Sequence, residues 1–265
     1  MDNRRLAAVL IVLLVIIAPI SYVAYSYHSF NGLINPGTPK TSAEYVVVYT
    51  PSAQFYTLTA EEYRQLLESG EKLPPGSKLF NVTVDSYITG SPGVDLNLTL
   101  RSVYRQFTIV MGDPSVINCK DNPQLYVGDC RYRTLAVSEI SGVVASIFAA
   151  NYYLKGINMG YDNVTAKQYA FNQTQLGYRK TYLNFWTKVD LGRGKIGNEE
   201  HLAVLLIGPA EGAKENRIFT PRRGVLVIEG TTDETLRAEV VLIENIISFK
   251  WPEGNETKTI NITGG

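Results

Sequence analysis

Residues 203–247, AVLLIGPAEGAKENRIFTPRRGVLVIEGTTDETLRAEVVLIENII, decide the fold class. Ala203 to Ile207 is an unbroken apolar run stopped by Gly208 and Pro209, and Gly224 to Glu229 is a second run after the basic turn Pro221-Arg222-Arg223. Apolar runs this short, closed by Gly or Pro, read as strands. A helix opens at Thr231 or Thr232. Thr231 and Glu234 have capping-box spacing, and Asp233 falls in the first turn, where the helix dipole favours an acid. Leu236, Val240, Ile243 and Ile247 then recur at spacings of four, three and four, the stripe of a helix packed on a sheet. Strand, strand and helix make one layer pair of an α+β domain.

Upstream, the same rules give further elements. Tyr45 to Tyr49 (Tyr-Val-Val-Val-Tyr) is a strand, and Thr59 with Glu62 opens a helix that Gly70 closes. Lys72 to Lys78, with Pro74, Pro75 and Gly76, is a turn. Leu79 to Ile88, Val94 to Leu100 and Val103 to Met111 read as strands, Ala166 to Tyr178 as helix, and Tyr182 to Val189 as strand. Between Ala136 and Leu154, Val137, Ile140, Val144, Ile147 and Phe148 mark one face of a helix. Glu139, Ser141, Ser146 and Asn151 interrupt it, leaving no apolar window of about 18 residues, so it reads as a buried helix and not a second membrane span. The expectation is an α+β domain over 45–252 with about eight strands and three or four helices, a subdivision near 155–160 left open.

A different kind of chain stands before this domain. Arg4 and Arg5 precede a run of apolar residues from Leu6 to Tyr25, interrupted by little more than Pro19 and Ser21. About 20 residues at ~1.5 Å each reach ~30 Å, the thickness of a bilayer's hydrocarbon core. Basic residues precede the run and no basic cluster follows it, which places the head in the cytoplasm and the rest outside. The expected location is the cell membrane, single-pass, with lipid bilayer around residues 6–25 and the C-terminal domain extracytoplasmic. A signal peptide shares the basic head, and Ala24 and Ser26 supply small residues for cleavage. Residues 1–26 therefore read as a transmembrane anchor, or as the signal peptide of a secreted protein. Residues 27–44, holding Gly32, Pro36, Gly37 and Pro39, read as a linker.

Six sequons agree with that address: Asn81, Asn97, Asn163, Asn172, Asn255 and Asn261 each precede Thr by two positions. N-linked glycans need an exported, exposed asparagine, and the last two sequons make 253–265 a glycosylated tail. Cys119 and Cys130 are the only cysteines and enclose a loop rich in Asp, Asn, Pro and Gly. In an oxidising compartment one disulfide is the simplest reading. Two thiols without nearby histidines do not make a zinc site. Asp113, Asn118, Asp121, Asn122 and Asp129 gather oxygen ligands around the same loop, a weak Ca²⁺ reading without EF-hand order. No other cofactor is implied.

Twenty-five basic residues balance 25 acidic ones, so there is no basic footprint and nucleic acid is not an expected partner. Gly208 to Gly212 follows a strand but lacks the Gly-Lys-Ser/Thr order of a phosphate loop, and Gly-x-Ser-x-Gly is absent. The Asp113-Pro114 pair reads as a turn.

The run Val204-Leu-Leu-Ile-Gly-Pro-Ala, Asn216, and then Gly224-Val-Leu-Val-Ile-Glu-Gly-Thr-Thr-Asp-Glu-Thr-Leu-Arg-Ala238 resembles a module of archaeal S-layer and related cell-surface glycoproteins. The resemblance covers about residues 203–247. It implies a cell-surface location; with the anchor, the sequons, the one disulfide and no catalytic constellation in the sequence, the expectation is a non-enzymatic structural component of the cell envelope, associated with an S-layer or a filament-like assembly, whose partners are other envelope proteins or further copies of itself. Two alternatives stay open: an accessory subunit stabilising a larger membrane protein complex, and an exported acid/base hydrolase or sugar-binding protein that would act as a soluble chain beginning near Thr41.

Overall fold

The computed structural model describes residues 3–112, 124 and 126–247, without the side chains of 3–14, 16 and 17. It is a mixed α/β architecture on one eight-stranded sheet. The elements are α1 (Asn3–Ile34), β1 (Thr41–Tyr49), β2 (Phe55–Thr59), α2 (Ala60–Glu68), β3 (Lys78–Ser86), α3 (Pro92–Leu100), β4 (Gln106–Met111), α4 (Cys130–Asn158), α5 (Asn163–Gly177), β5 (Tyr178–Tyr182), α6 (Phe185–Gly192), β6 (His201–Ile207), β7 (Arg217–Arg222), β8 (Val225–Glu229) and α7 (Asp233–Ile246). The strand order is β2-β1-β3-β7-β8-β6-β4-β5. β8, β6, β4 and β5 run parallel, β7 is antiparallel to β8 and parallel to β3, and β1 is antiparallel to both β2 and β3. Strands from both sides of residues 155–160 thus share the sheet.

The apolar runs are continuous because both faces are covered. Along β6, Leu202, Val204 and Leu206 join the core under α3, α4, α5 and α7, while Ala203, Leu205 and Ile207 join a second core on the other face. That second core is closed by Leu191 of α6 and by Phe30 and Leu33 of α1. The end of α1 is therefore a layer of the fold, which corrects the expected linker over 27–44: helix continues to Ile34, strand begins at Thr41, and only 35–40 connect them. Two long-range features hold α1 there. Gly192 lets α6 approach so closely that a Cβ on it would run into the Ser26 carbonyl oxygen. Arg217 of β7 donates from Nη2 to the Ile34 carbonyl at 3.3 Å, satisfying an orphan acceptor at the helix end.

Other expectations shift for local reasons. Val94 to Leu100 is helix α3, not strand: its apolar residues alternate, but Pro92 opens a helix and buried Asp95 organises the preceding loop. Asp95 accepts from the Tyr87, Ile88 and Thr89 amides and the Ser86 and Thr89 hydroxyls. Burial pushes its carboxyl up, but those bonds outweigh burial and hold it below its ordinary range. Tyr182 to Val189 is also mainly helix. Asn184 accepts from the Thr187 amide at 2.9 Å and starts α6, while the strand lies at 178–182. Pro221 and Arg222, expected in a basic turn with Arg223, are the last residues of strand β7. Thr232, not Thr231, caps α7 through the Thr235 amide, and Thr231 bonds to Asn216. Among the described residues six α-helices follow α1, where three or four were expected. The Thr59–Glu62 capping box is present, and Gly70 takes the left-handed conformation (φ +74°) beyond α2.

α4 satisfies the length and composition of a membrane span, so the expected absence of such an apolar window there was wrong. It nonetheless buries Ala136, Ile140, Val144, Ile147 and Phe148 against the sheet, as a core helix does.

Candidate functional site

In an open parallel sheet, ligands bind beyond the carboxyl ends of the strands where successive connections leave on opposite faces. Here β4 leads through α4 and α5 to β5 on one side of it, and β5 leads through α6 to β6 on the other. The core residues of α4 and α5 belong to one face and those of α6 to the opposite one, so the switch point lies at the ends of β4 and β6.

That crevice is occupied by the protein's own charges. Arg133, in the first turns of α4 and 2% exposed, donates from Nη2 to the Leu206 carbonyl (3.1 Å) and pairs with Glu211 (3.1 Å) and Asp233 (3.5 Å). Asp233 Oδ2 accepts from the Tyr126 hydroxyl (2.7 Å) and the Asp129 amide (2.9 Å), and Glu211 Oε2 accepts from the Gly208 amide (2.7 Å). Burial raises the Asp233 carboxyl, against the pull of Tyr126 and Arg133, and burial with the bond to Asp233 raises the Tyr126 phenol well above its ordinary range. Glycines make room for the cluster. A Cβ on Gly112 would meet Glu211, one on Gly208 would meet Arg133, and one on Gly128 (φ +137°) would meet Asp233. The Gly208–Gly212 turn thus presents an amide to an anion, as the strand-end position suggests, but the anion is its own Glu211. Arg133 Nε and Nη1 and Asp233 Oδ1 have no hydrogen-bond partner among the described residues, although Nη1 and Oδ1 face each other in the 3.5 Å ion pair. The arrangement clamps α4, α7 and the ends of β4 and β6 together.

The second site is the junction of α1 and α6. Tyr27 stacks on Phe185 (6.2 Å between centroids), and Phe185 meets Trp186 edge-on (5.3 Å). Lys188 lies 5.9 Å from the Tyr27 centroid, and the Arg193 guanidinium 4.4 Å from that of Tyr22. Trp186 is 67% exposed, and Ile20, Tyr22, Tyr25 and Phe185 are exposed beside it. An apolar groove of about 600 Å³ runs between Ile20, Ala24, Tyr27 and Phe185. The sequence shows Phe185-Trp186 only as an aromatic pair; the fold adds its position against α1.

A third concavity, about 490 Å³, is polar and lies between the 35–40 connection, β3 and β7. Asn81, Asp85, Tyr87, Glu215 and Arg217 line it. Arg217 Nε is held by Glu229 (2.8 Å) and Glu215 (3.3 Å), and Asp85 accepts from Ser42 (2.6 Å).

The sequons divide. Asn81 and Asn172 are exposed; Asn97 is half-buried in α3 with Thr99 buried, and Asn163 accepts from the Tyr153 hydroxyl (3.0 Å) at the start of α5. Asn255 and Asn261 lie outside the described residues, as do Cys119, Asp113, Asn118, Asp121 and Asn122. Cys130 is the first residue of α4. Asp129 caps that helix through the Arg131 and Tyr132 amides, and no group of three or more His, Cys, Asp or Glu residues that could hold a metal occurs among the described residues. His201 bonds to the Thr108 hydroxyl at 2.6 Å. The chain matches no protein-family model, no curated protein and no solved structure.

Proposed function

We propose that the protein is a non-enzymatic, membrane-anchored extracytoplasmic glycoprotein that serves as a structural component of the cell envelope, in an S-layer-associated or filament-like assembly. One observation carries the reading: α1 is continuous from Asn3 to Ile34, and Ser26, Phe30 and Leu33 near its end are buried in the domain core. The apolar run of residues 6–25 lies on that same helix, so a bilayer span would be rigidly joined to the domain. The likeness of 203–247 to cell-surface modules supports the envelope role, and the expected Cys119–Cys130 disulfide suits the compartment.

The test is carbonate washing of native membranes, followed by mass spectrometry of the chain's N-terminus and of the protein's companions in a native gel. The proposal expects a pelleted chain with residues 6–25 intact, in a homopolymer or with other envelope proteins. A washed-off chain beginning after Ala24 would contradict the anchor, and a lone monomer would contradict the assembly.

One observation favours the accessory-subunit reading. Val164, Phe171 and Leu176 are exposed on α5, beside a groove of about 330 Å³ against Gly142 and Ala145 of α4. Asn172 lies on the same helix, so a glycan there would mark it as solvent-facing, and its absence with a stoichiometric partner would favour the subunit.

A further inference from the structure

We infer that α6 is a second membrane contact: Phe185 and Trp186 rest in the headgroup region of the outer leaflet, with Lys188 and Arg193 facing lipid phosphates. The domain then lies on the bilayer at a fixed tilt. This rests on the anchor reading proposed above.

Depth comes first. If residues 6–25 fill a hydrocarbon core of about 30 Å, Tyr22 and Tyr25 fall at its outer edge. Phe185 stacks on Tyr27, only two residues farther along the same helix, so the start of α6 shares that depth. Composition agrees. Tyr and Trp concentrate at membrane interfaces because an apolar ring and a polar tip suit that layer. Trp186 and Phe185 are exposed at the start of α6, whereas Thr187, Val189 and Leu191 of that helix are buried, so neither ring serves the core. Charge is the third argument. Lys188 and Arg193 stand over the α1 rings with no carboxylate partner among the described residues, while the nearby Asp190 is paired with Lys195 at 3.3 Å. Two unpaired cations beside exposed aromatics complement a phosphate-bearing surface.

The experiment uses the full chain with Trp251→Phe, leaving Trp186 as the sole tryptophan, in phosphatidylcholine–phosphatidylglycerol vesicles. Its fluorescence is read with nitroxide-labelled lipids and with aqueous iodide, alongside carbonate resistance. The inference expects blue-shifted emission, quenched by nitroxide at the headgroup level more than at the chain ends, with iodide quenching largely lost. Iodide-quenched emission unaffected by lipid nitroxide, from a carbonate-resistant chain, would overturn the inference and leave the anchor standing. Emission shielded from both quenchers would overturn it in favour of a protein occupant of the groove. A chain released by carbonate would remove the anchor and the inference together.

Discussion

The crevice beyond β4 and β6 and the junction of α1 with α6 invert one another. In the crevice, where an α/β sheet ordinarily keeps its ligand, buried charges meet within the protein: Arg133 faces Glu211 and Asp233, and Tyr126 tops the set. At the junction, Phe185, Trp186 and Arg193 are exposed, and Lys188 is half-buried beside the Tyr27 ring. The difference is that the polar groups of the crevice hold elements of the fold together, whereas the junction leaves aromatic rings exposed beside α1.

The sharpest way to break the comparison is to remove α1. A chain beginning at Thr41, the soluble form that a linker over 27–44 would permit, uncovers the second core and leaves Leu205, Phe219 and Val227 without Phe30 and Leu33. The expected outcome is aggregation on expression, read by size-exclusion chromatography; a monodisperse, cooperatively melting product would restore the linker. Next comes Arg133→Met, which strands two buried carboxylates. Breaking one side of a buried pair costs about 3–5 kcal/mol, measured as lost stability in denaturant. Adding Glu211→Gln and Asp233→Asn is expected to recover much of that loss, because no carboxylate is then left buried and unpaired.

Gly192→Val probes the junction from inside. Its side chain would collide with the Ser26 carbonyl, and forcing volume into a packed contact costs about 1–3 kcal/mol. Its signature is a lower melting temperature together with protease cleavage appearing within 26–40.

The smallest effect, of opposite sign, belongs to Glu239 of α7. Its side chain is fully buried, neither oxygen is hydrogen-bonded to a described residue, and burial, aided by Glu229, raises its carboxyl well above 4.5. The folded state holds it neutral while the unfolded chain releases the proton, so its contribution is complete below about pH 4.5 and is lost as pH rises toward the folded value. Glu239→Gln should therefore stabilise at pH 7, where the unfolded chain has released the proton, and change little at pH 4; thermal melts at the two pH values check the sign.

How much of this was readable follows from how local each signal is. β6, β8 and α7 stand out because their apolar runs are uninterrupted and the breakers Gly208, Gly224 and Gly230 sit at their ends. α3 is hidden by the alternation of Val94, Leu96, Leu98 and Leu100, which is the period of a strand; packing under the sheet and the bonds to Asp95 override it. In α6 the β-favouring Phe185, Trp186 and Val189 mask Asn184, whose spacing to Thr187 was a legible cap. The end of α1 could have been followed through Ser26, Phe30 and Leu33, spaced four and three, had Gly32 and Pro36 not suggested a linker. The crevice was not legible: Tyr126 and Asp233 lie 107 residues apart in sequence, and no local pattern announces that pairing.

The central claim is that the end of α1 belongs to the domain's core and moves with it. Amide hydrogen exchange along the full chain in nanodiscs, followed through a denaturant series, tests it most directly. The account predicts that amides 26–34 open together with those of β6 and β8, at the same denaturant concentration and with the same slope. Rapid exchange across 27–44 while β6 and β8 stay protected would contradict it, and would return that segment to a tether.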